Sequence, residues 1–215
     1  LTDPEMIAKT RLHPINFLNA LVTYNEGQIQ RQGGWYGGAR QKTWNVSGPI
    51  ADALNDGFHL AFKSVVPANK RTFLAVDVSG SMSSLAMGTD LSCAQIAGAM
   101  AMTIARTEPK YTIMGFTSGG NNVKTYNNYG NNVGMTDLGI TAKSNLNTAM
   151  QRVQKSNFGR TDCSLPMEYA IENDLKIDSF IVITDNETYA GKRHPFQALK
   201  AYRQKTGIDA KLAVL

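Results

Sequence analysis

The sequence predicts an α/β protein, a doubly wound parallel sheet preceded by a helical segment. Three observations predict it. From residue 71 onward, short apolar runs alternate with helical patterns, the signature of parallel strands joined by crossover helices. Two of those runs, 73–76 and 180–184, lead directly into a carboxylate, Asp77 and Asp185. Residues 1–70 instead show apolar side chains at helical spacing.

In the helical segment, Pro14 suits a helix start, where its missing N–H costs nothing. Ile15, Leu18 and Val22 then recur at i, i+3 and i+7, with Phe17 and Leu21 beside them. Gly27 is a suitable stop. Residues 33–38 set four glycines around Trp35 and Tyr36 and read as a loop. Ser47 is an N-cap candidate for a second helix with Gly48 and Pro49 behind it. Ile50, Ala53, Leu54, Phe58 and Ala61 would form its apolar face. Two amphipathic helices of this length make a poor core alone, so they are expected to lean on further chain or on the second part.

In the second part, residues 73–78 read as a strand. Residues 90–107 read as a helix that is apolar all round and therefore buried. Residues 111–116 give the next strand. Residues 119–134, with six Asn and four Gly, read as loop or a ragged edge strand. Leu146, Met150 and Val153 mark one helix; Leu165, Tyr169 and Ile171 mark another. A core strand over 180–184, a helix over 195–206 carrying Phe196, Leu199 and Tyr202, and a strand over 211–215 complete the pattern. In such sheets ligands bind beyond the carboxyl ends of the strands.

Composition sets the outer bounds. A chain of 215 residues holds one or two domains, and 42% hydrophobic against 18% charged residues excludes a disordered chain. No stretch reaches the roughly 18 apolar residues of a membrane span. Two cysteines, Cys93 and Cys163, exclude a disulfide scaffold and a cysteine-rich metal site. The net charge is +5, with 8 basic against 5 acidic residues in 1–72 and 14 against 12 in 73–215. That excess permits contact with a polyanion without demanding it. The start LTDPEM lacks a basic-then-apolar signal segment. It also lacks an initiator Met, and the chain stops in an apolar run, so a fragment is expected.

The chemistry lies just past the strands. Asp77, Ser79 and Ser81 alternate, which aims a carboxylate and two hydroxyls at one point while Val78 turns inward. Gly80 is expected to let the backbone turn sharply. A polar loop runs from Gly159 through Thr161, and Asp185 follows the last core strand. Every donor is an oxygen, and such sites suit Mg²⁺, Mn²⁺ or Ca²⁺ rather than zinc. Ser81 does not sit in a Gly-x-Ser-x-Gly elbow, which argues against a hydrolase.

Asp77-x-Ser79-x-Ser81, then Thr161, then Asp185, resembles the metal-ion-dependent adhesion site of von Willebrand factor A domains, whose sheet is doubly wound and Rossmann-like. A narrower resemblance is to the Ro autoantigen family. It is carried by Leu12-His13-Pro14, by residues 55–63 (NDGFHLAFK), by 70–79 (KRTFLAVDVS), by Arg106-Thr107-Glu108, by 159–167 (GRTDCSLPM), by 180–191 (FIVITDNETYAG) and by His194-Pro195. It covers nearly the whole chain. The resemblance implies that residues 71–215 are the A domain, without its C-terminal end, and that residues 1–70 are the last helices of a ring of HEAT-like repeats, the TROVE domain. It implies a non-catalytic cytoplasmic protein whose full-length form binds small noncoding RNA, Y RNA-like or misfolded, in RNA quality control. At the metal site it implies Asp77 as the anchoring charge, Ser79 and Ser81 as hydroxyl ligands, Thr161 as a ligand or water holder, and Asp185 acting through bound water. An acidic group or phosphate from a partner would complete the shell.

Other readings stand beside these. An adhesion or assembly module binding a partner's carboxylate through the metal would use the same five residues and no RNA. An ATP-driven machine lacks its Gly-x-x-x-x-Gly-Lys loop here. His13 and His194 each precede Pro and are expected at helix starts rather than on a metal. Lys192, Arg193, Lys200, Arg203 and Lys205 read as a solvated helix face ahead of a phosphate patch. Asn45-Val46-Ser47 and Asn186-Glu187-Thr188 are formal glycosylation sequons, and a glycan at the second would crowd Asp185, which weighs against secretion.

Overall fold

The computed structural model describes residues 2–31, 40–87, 89, 91–117, 134–154, 161–185 and 193–215. The chain divides into two compact units, Leu1–Val66 with Ala86–Leu91, and Pro67–Leu85 with Ser92–Leu215. Residues 67–70, placed with the helical part by the sequence pattern, fall in the second unit. No described helix is long and apolar enough to cross a membrane.

Among its described residues the first unit holds three α-helices, a short 3-10 turn over Phe62–Ser64 and a hairpin. Helix α1 (Pro4–Thr10) starts at Asp3, whose carboxylate accepts from the backbone N–H of Glu5 and Met6. Helix α2 (Pro14–Asn25) starts at His13, whose Nδ1 accepts from the Ile15 N–H at 3.2 Å. The imidazole is therefore a cap, in keeping with the His-Pro expectation. Strands β1 (Gln28–Arg31) and β2 (Arg40–Thr43) pair antiparallel. Trp44 closes the turn back onto α2: its ring stacks on Tyr24 and its Nε1 donates to the Tyr24 carbonyl at 2.8 Å. Helix α3 (Gly48–Ala61) buries Leu54, Gly57, Phe58 and Ala61. A Cβ at Gly57 would fall on the Phe17 ring, so glycine is what lets α2 and α3 approach.

The second unit is built on five strands in the order β5-β4-β3-β6-β7. They are β3 (Arg71–Asp77), β4 (Lys110–Thr117), β5 (Gly134–Asp137), β6 (Ser179–Ile183) and β7 (Lys211–Val214). The sheet is parallel except at β5, which pairs antiparallel with β4. The α/β doubly wound expectation therefore holds, with one antiparallel edge. Strand β3 lies at the centre between two parallel partners. Burial on both sides suits its continuous apolar run.

Alternation along β3 sends Phe73 and Ala75 to one face and Leu74 and Val76 to the other. On the first face they join Phe180 and Val182 of β6, with side chains from α6 (Leu165–Glu172) and α7 (Pro195–Thr206). On the other face α4 (Cys93–Thr107) packs on β3 and β4, and α5 (Leu146–Gln154) packs on α4. No side chain of α4 is exposed, consistent with its apolar sequence. The helix starts at Cys93 rather than at 90 because Ser92 caps it, with Gln95 bonding back to the Ser92 N–H. Gly98 makes the α4–α5 approach possible: a Cβ there would lie 2.8 Å from the Met150 Cα.

The amino end of the sheet is tied by side chains. Arg71 forks onto Asp178, with Nε to Oδ2 at 2.8 Å and its backbone N–H to the same oxygen at 2.9 Å. Tyr202 is fully buried; its hydroxyl accepts from the Ile177 N–H and donates to the Leu175 carbonyl. The guanidinium of Arg71 holds the Asp178 carboxyl far below the usual carboxylate range, chiefly through the side-chain hydrogen bond.

Candidate metal centre

At the carboxyl end of the sheet, β3 runs out at Asp77, which is fully buried. A buried carboxylate needs donors, and among the described residues this one has three. Oδ1 accepts from the Ser79 N–H at 2.8 Å. Oδ2 accepts from Thr161 Oγ1 at 3.0 Å and from Thr184 Oγ1 at 2.8 Å. Past the strand the backbone folds into a 3-10 turn over Gly80–Ser83. Val78 and Met82 point into the core from either side of it. That leaves Ser79 and Ser81 on the opposite side, with their hydroxyl oxygens 3.0 Å apart. Gly80 is not among the glycines with positive φ, so the bend comes from the turn and not, as the sequence suggested, from glycine's special freedom.

Four of the five expected residues are thus joined in one place: Asp77 to Thr161 and to the Ser79 backbone, and Ser79 to Ser81. Asp185 follows Thr184 at the end of β6. Its Oδ1 is buried and has no hydrogen-bond partner among the described residues. Its charge also reaches the first turn of α4: the Cys93 thiol is pushed up, first by burial and then by Asp185. Cys163 is buried and is not in a disulfide.

The arrangement fits a hard divalent cation. The donors are carboxylate and hydroxyl oxygens at a strand end, and one buried carboxylate oxygen has no donor among the described residues. Among the described residues no group of three or more His, Cys, Asp or Glu could hold a metal, which excludes a zinc-type cage there. Two carboxylates with several hydroxyls match Mg²⁺, which keeps some of its waters.

Two residues near the site escaped the sequence reading. Thr184 donates to Asp77 across 107 positions, a contact no local pattern announces. Asp162 is also buried; its Oδ1 accepts from the Ser164 N–H at 2.9 Å and from Ser164 Oγ at 2.7 Å. Burial pushes its carboxyl up, and the Ser164 bonds oppose that. Glu168 on α6 is likewise pushed up, first by burial and then by the Asp162 charge, with Arg193 opposing.

Three basic side chains on and after α7 are engaged within the protein. Arg203 donates to the Ala210 carbonyl, Lys205 pairs with Asp174 at 3.1 Å, and Lys211 pairs with Asp209 at 2.6 Å. His194 caps α7 through Nδ1. Trp35, Tyr36, Gly159, Arg160, Asn186 to Thr188, and Lys192 lie outside the described residues, as does all but Gly134 of the Asn/Gly-rich stretch.

With this geometry in place, comparison with known proteins gives a consistent answer. Residues 71–215 match the family described as the Ro60 vWA domain. A Caenorhabditis elegans protein named RNA-binding protein RO60 is 38% identical over 216 residues, covering 100% of this chain and 30% of the relative. A Deinococcus radiodurans protein of the same name is 40% identical over 217 residues, covering 100% of this chain and 36% of its own. The crystal structure of the Deinococcus radiodurans RO (RSR) protein superposes with a TM-score of 0.81 at 39% identity, covering 99% of this chain and 39% of that one. The chain therefore spans about a third of the length of the curated relatives it matches.

Proposed function

Since this chain belongs to the Ro60 vWA domain family, we propose that it is part of a non-catalytic, cytoplasmic RNA-binding protein of the Ro type. The observation that carries this reading is the 38% and 40% identity, over the whole chain, to proteins named RNA-binding protein RO60. The ligands of the full-length protein are small noncoding RNAs, Y RNA-like or misfolded. Residues 1–70 contribute the last helices of a larger helical ring, and residues 71–215 form the A domain.

The A domain holds one divalent cation, Mg²⁺ or a similar hard ion. Asp77 would supply the buried charge, Ser79, Ser81 and Thr161 would supply hydroxyl oxygens, and Asp185, whose Oδ1 has no hydrogen-bond partner among the described residues, would act mainly through bound water. When bound, the ion offers a partner's carboxylate or phosphate a positive site; no bond is broken. Thr184 holds Asp77 in place from β6.

One observation favours a second reading, a module that docks a protein carboxylate through the ion. Arg203 and Lys211 share the carboxylate of Asp209, and Lys205 pairs with Asp174, so part of the positive charge on this face is already met within the chain. RNA binding by the full-length protein across a salt series separates the two. The RNA reading expects affinity to fall steeply, with a log–log slope of about −0.7 per phosphate neutralised on a single strand. Absence of binding at low salt would overturn it in favour of the protein-docking module.

A further inference from the structure

We propose that Asp162 is a positioning residue that presents Thr161 to the cation, acting as a hydrogen-bond acceptor and not as a ligand. The inference rests on the cation reading above. Thr161, Asp162, Cys163 and Ser164 are all buried, at 4%, 5%, 2% and 1% exposure. Burying three polar side chains in succession is costly unless their bonds are made inside. Here they are made in a chain of contacts. Helix α6 is fixed in the core by Leu165, Met167 and Ala170. The carbonyl of Ser164 accepts from the N–H groups of Met167 and Glu168 in its first turn. The Ser164 N–H and hydroxyl both donate to Asp162 Oδ1, and the Asp162 carbonyl accepts from the Leu165 N–H. The next residue back, Thr161, then donates to Asp77 Oδ2.

The anchoring thus runs from the core through α6 and Ser164 to Asp162, and from there to the hydroxyl that faces Asp77. Asp162 Oδ1 already serves two donors on the α6 side. An amide oxygen at the same place would accept the same two bonds. The charge of Asp162 is therefore dispensable for the job and its acceptor oxygen is not.

The test is the Mg²⁺ affinity of the full chain, read from melting midpoints across a Mg²⁺ series, for wild type, Asp77→Ala, Asp162→Asn, Asp162→Ala and Ser164→Ala. Asp162→Asn is expected to bind within about twofold of wild type. Asp162→Ala is expected to bind at least about tenfold more weakly, the usual loss when a group supporting a metal ligand is removed. Ser164→Ala, which keeps the backbone donor, gives a smaller loss in the same direction and serves should Asp162→Ala fail to fold. A purely structural role would lower the melting point without Mg²⁺ and leave the affinity alone; that result overturns the proposal. So does an Asp162→Asn variant as deaf to Mg²⁺ as Asp77→Ala, which would make Asp162 a ligand. A wild-type chain with no response to Mg²⁺ overturns the cation reading itself and this inference with it.

Discussion

The two ends of strand β3 pose the same problem and solve it differently. At its start a carboxylate, Asp178, faces a cation of its own chain, the forked guanidinium of Arg71. At its end Asp77 is buried more completely, yet among the described residues its partners are an N–H and two neutral hydroxyls. Asp162 next to Thr161 is also served by neutral donors, and Asp185 Oδ1 by none. Buried charges are normally paired or bind metal. The amino end is neutralised from within the chain, whereas on the proposed cation reading the carboxyl end receives its positive charge from outside. That reading expects rigidity without a ligand at the first and ligand-dependent stability at the second.

This contrast is open to mutation. The largest single effect is expected at the carboxyl end. Thr184→Val removes a hydroxyl bonded to a buried carboxylate and should destabilise the Mg²⁺-free chain by about 2 kcal/mol, the range for hydrogen bonds to charged groups. Saturating Mg²⁺ should recover part of that in chemical denaturation. At the amino end, Tyr202→Phe leaves the buried Ile177 N–H without its partner and should cost about 1 kcal/mol or somewhat more. Here Mg²⁺ should recover nothing. Equal recovery in both variants would erase the distinction.

The smallest effect is the most diagnostic in pH. Asp178 has a folded pKa held below its unfolded value. Its contribution is therefore fully present above the ordinary aspartate value, about 3.9, and fades as the pH falls through the folded value. The melting deficit of Asp178→Asn should be complete at pH 7 and shrink in acid. A deficit that grew in acid would show that the pair is not what ties this end.

The same contrast explains what the sequence makes legible. Strands β3, β4 and β6 show themselves because their buried stretches require continuous apolar runs; β7 shows the same kind of run although three of its four residues are exposed. Asp77, Ser79, Ser81 and Asp185 are conspicuous because polar side chains directly follow those runs. The hairpin β1–β2 has no such signal: Gln-Ile-Gln-Arg and Arg-Gln-Lys-Thr are polar stretches with a single apolar residue. Strand β5 has only four residues and follows the Asn/Gly-rich stretch, so its antiparallel pairing with β4 is set by tertiary contact alone. Helix α1 does carry a signal, the Asp3 cap followed by Pro4, but its seven residues are too few to display a period. Thr184 and Asp162 were invisible for another reason. Their roles are defined by what they bond to, and the bond from Thr184 reaches across 107 residues.

Thermal melting of the full chain and of Asp77→Ala, each with and without saturating Mg²⁺, probes the exogenous-charge idea head on. With the ion at about one hundred times its dissociation constant, linkage predicts stabilisation of about 2.7 kcal/mol, a rise of roughly 5–10 °C in the wild-type midpoint. The Asp77→Ala midpoint should stay where it is. A wild type unmoved by the ion, or two proteins moved alike, would mean that the buried oxygens at the end of β3 are not waiting for a cation.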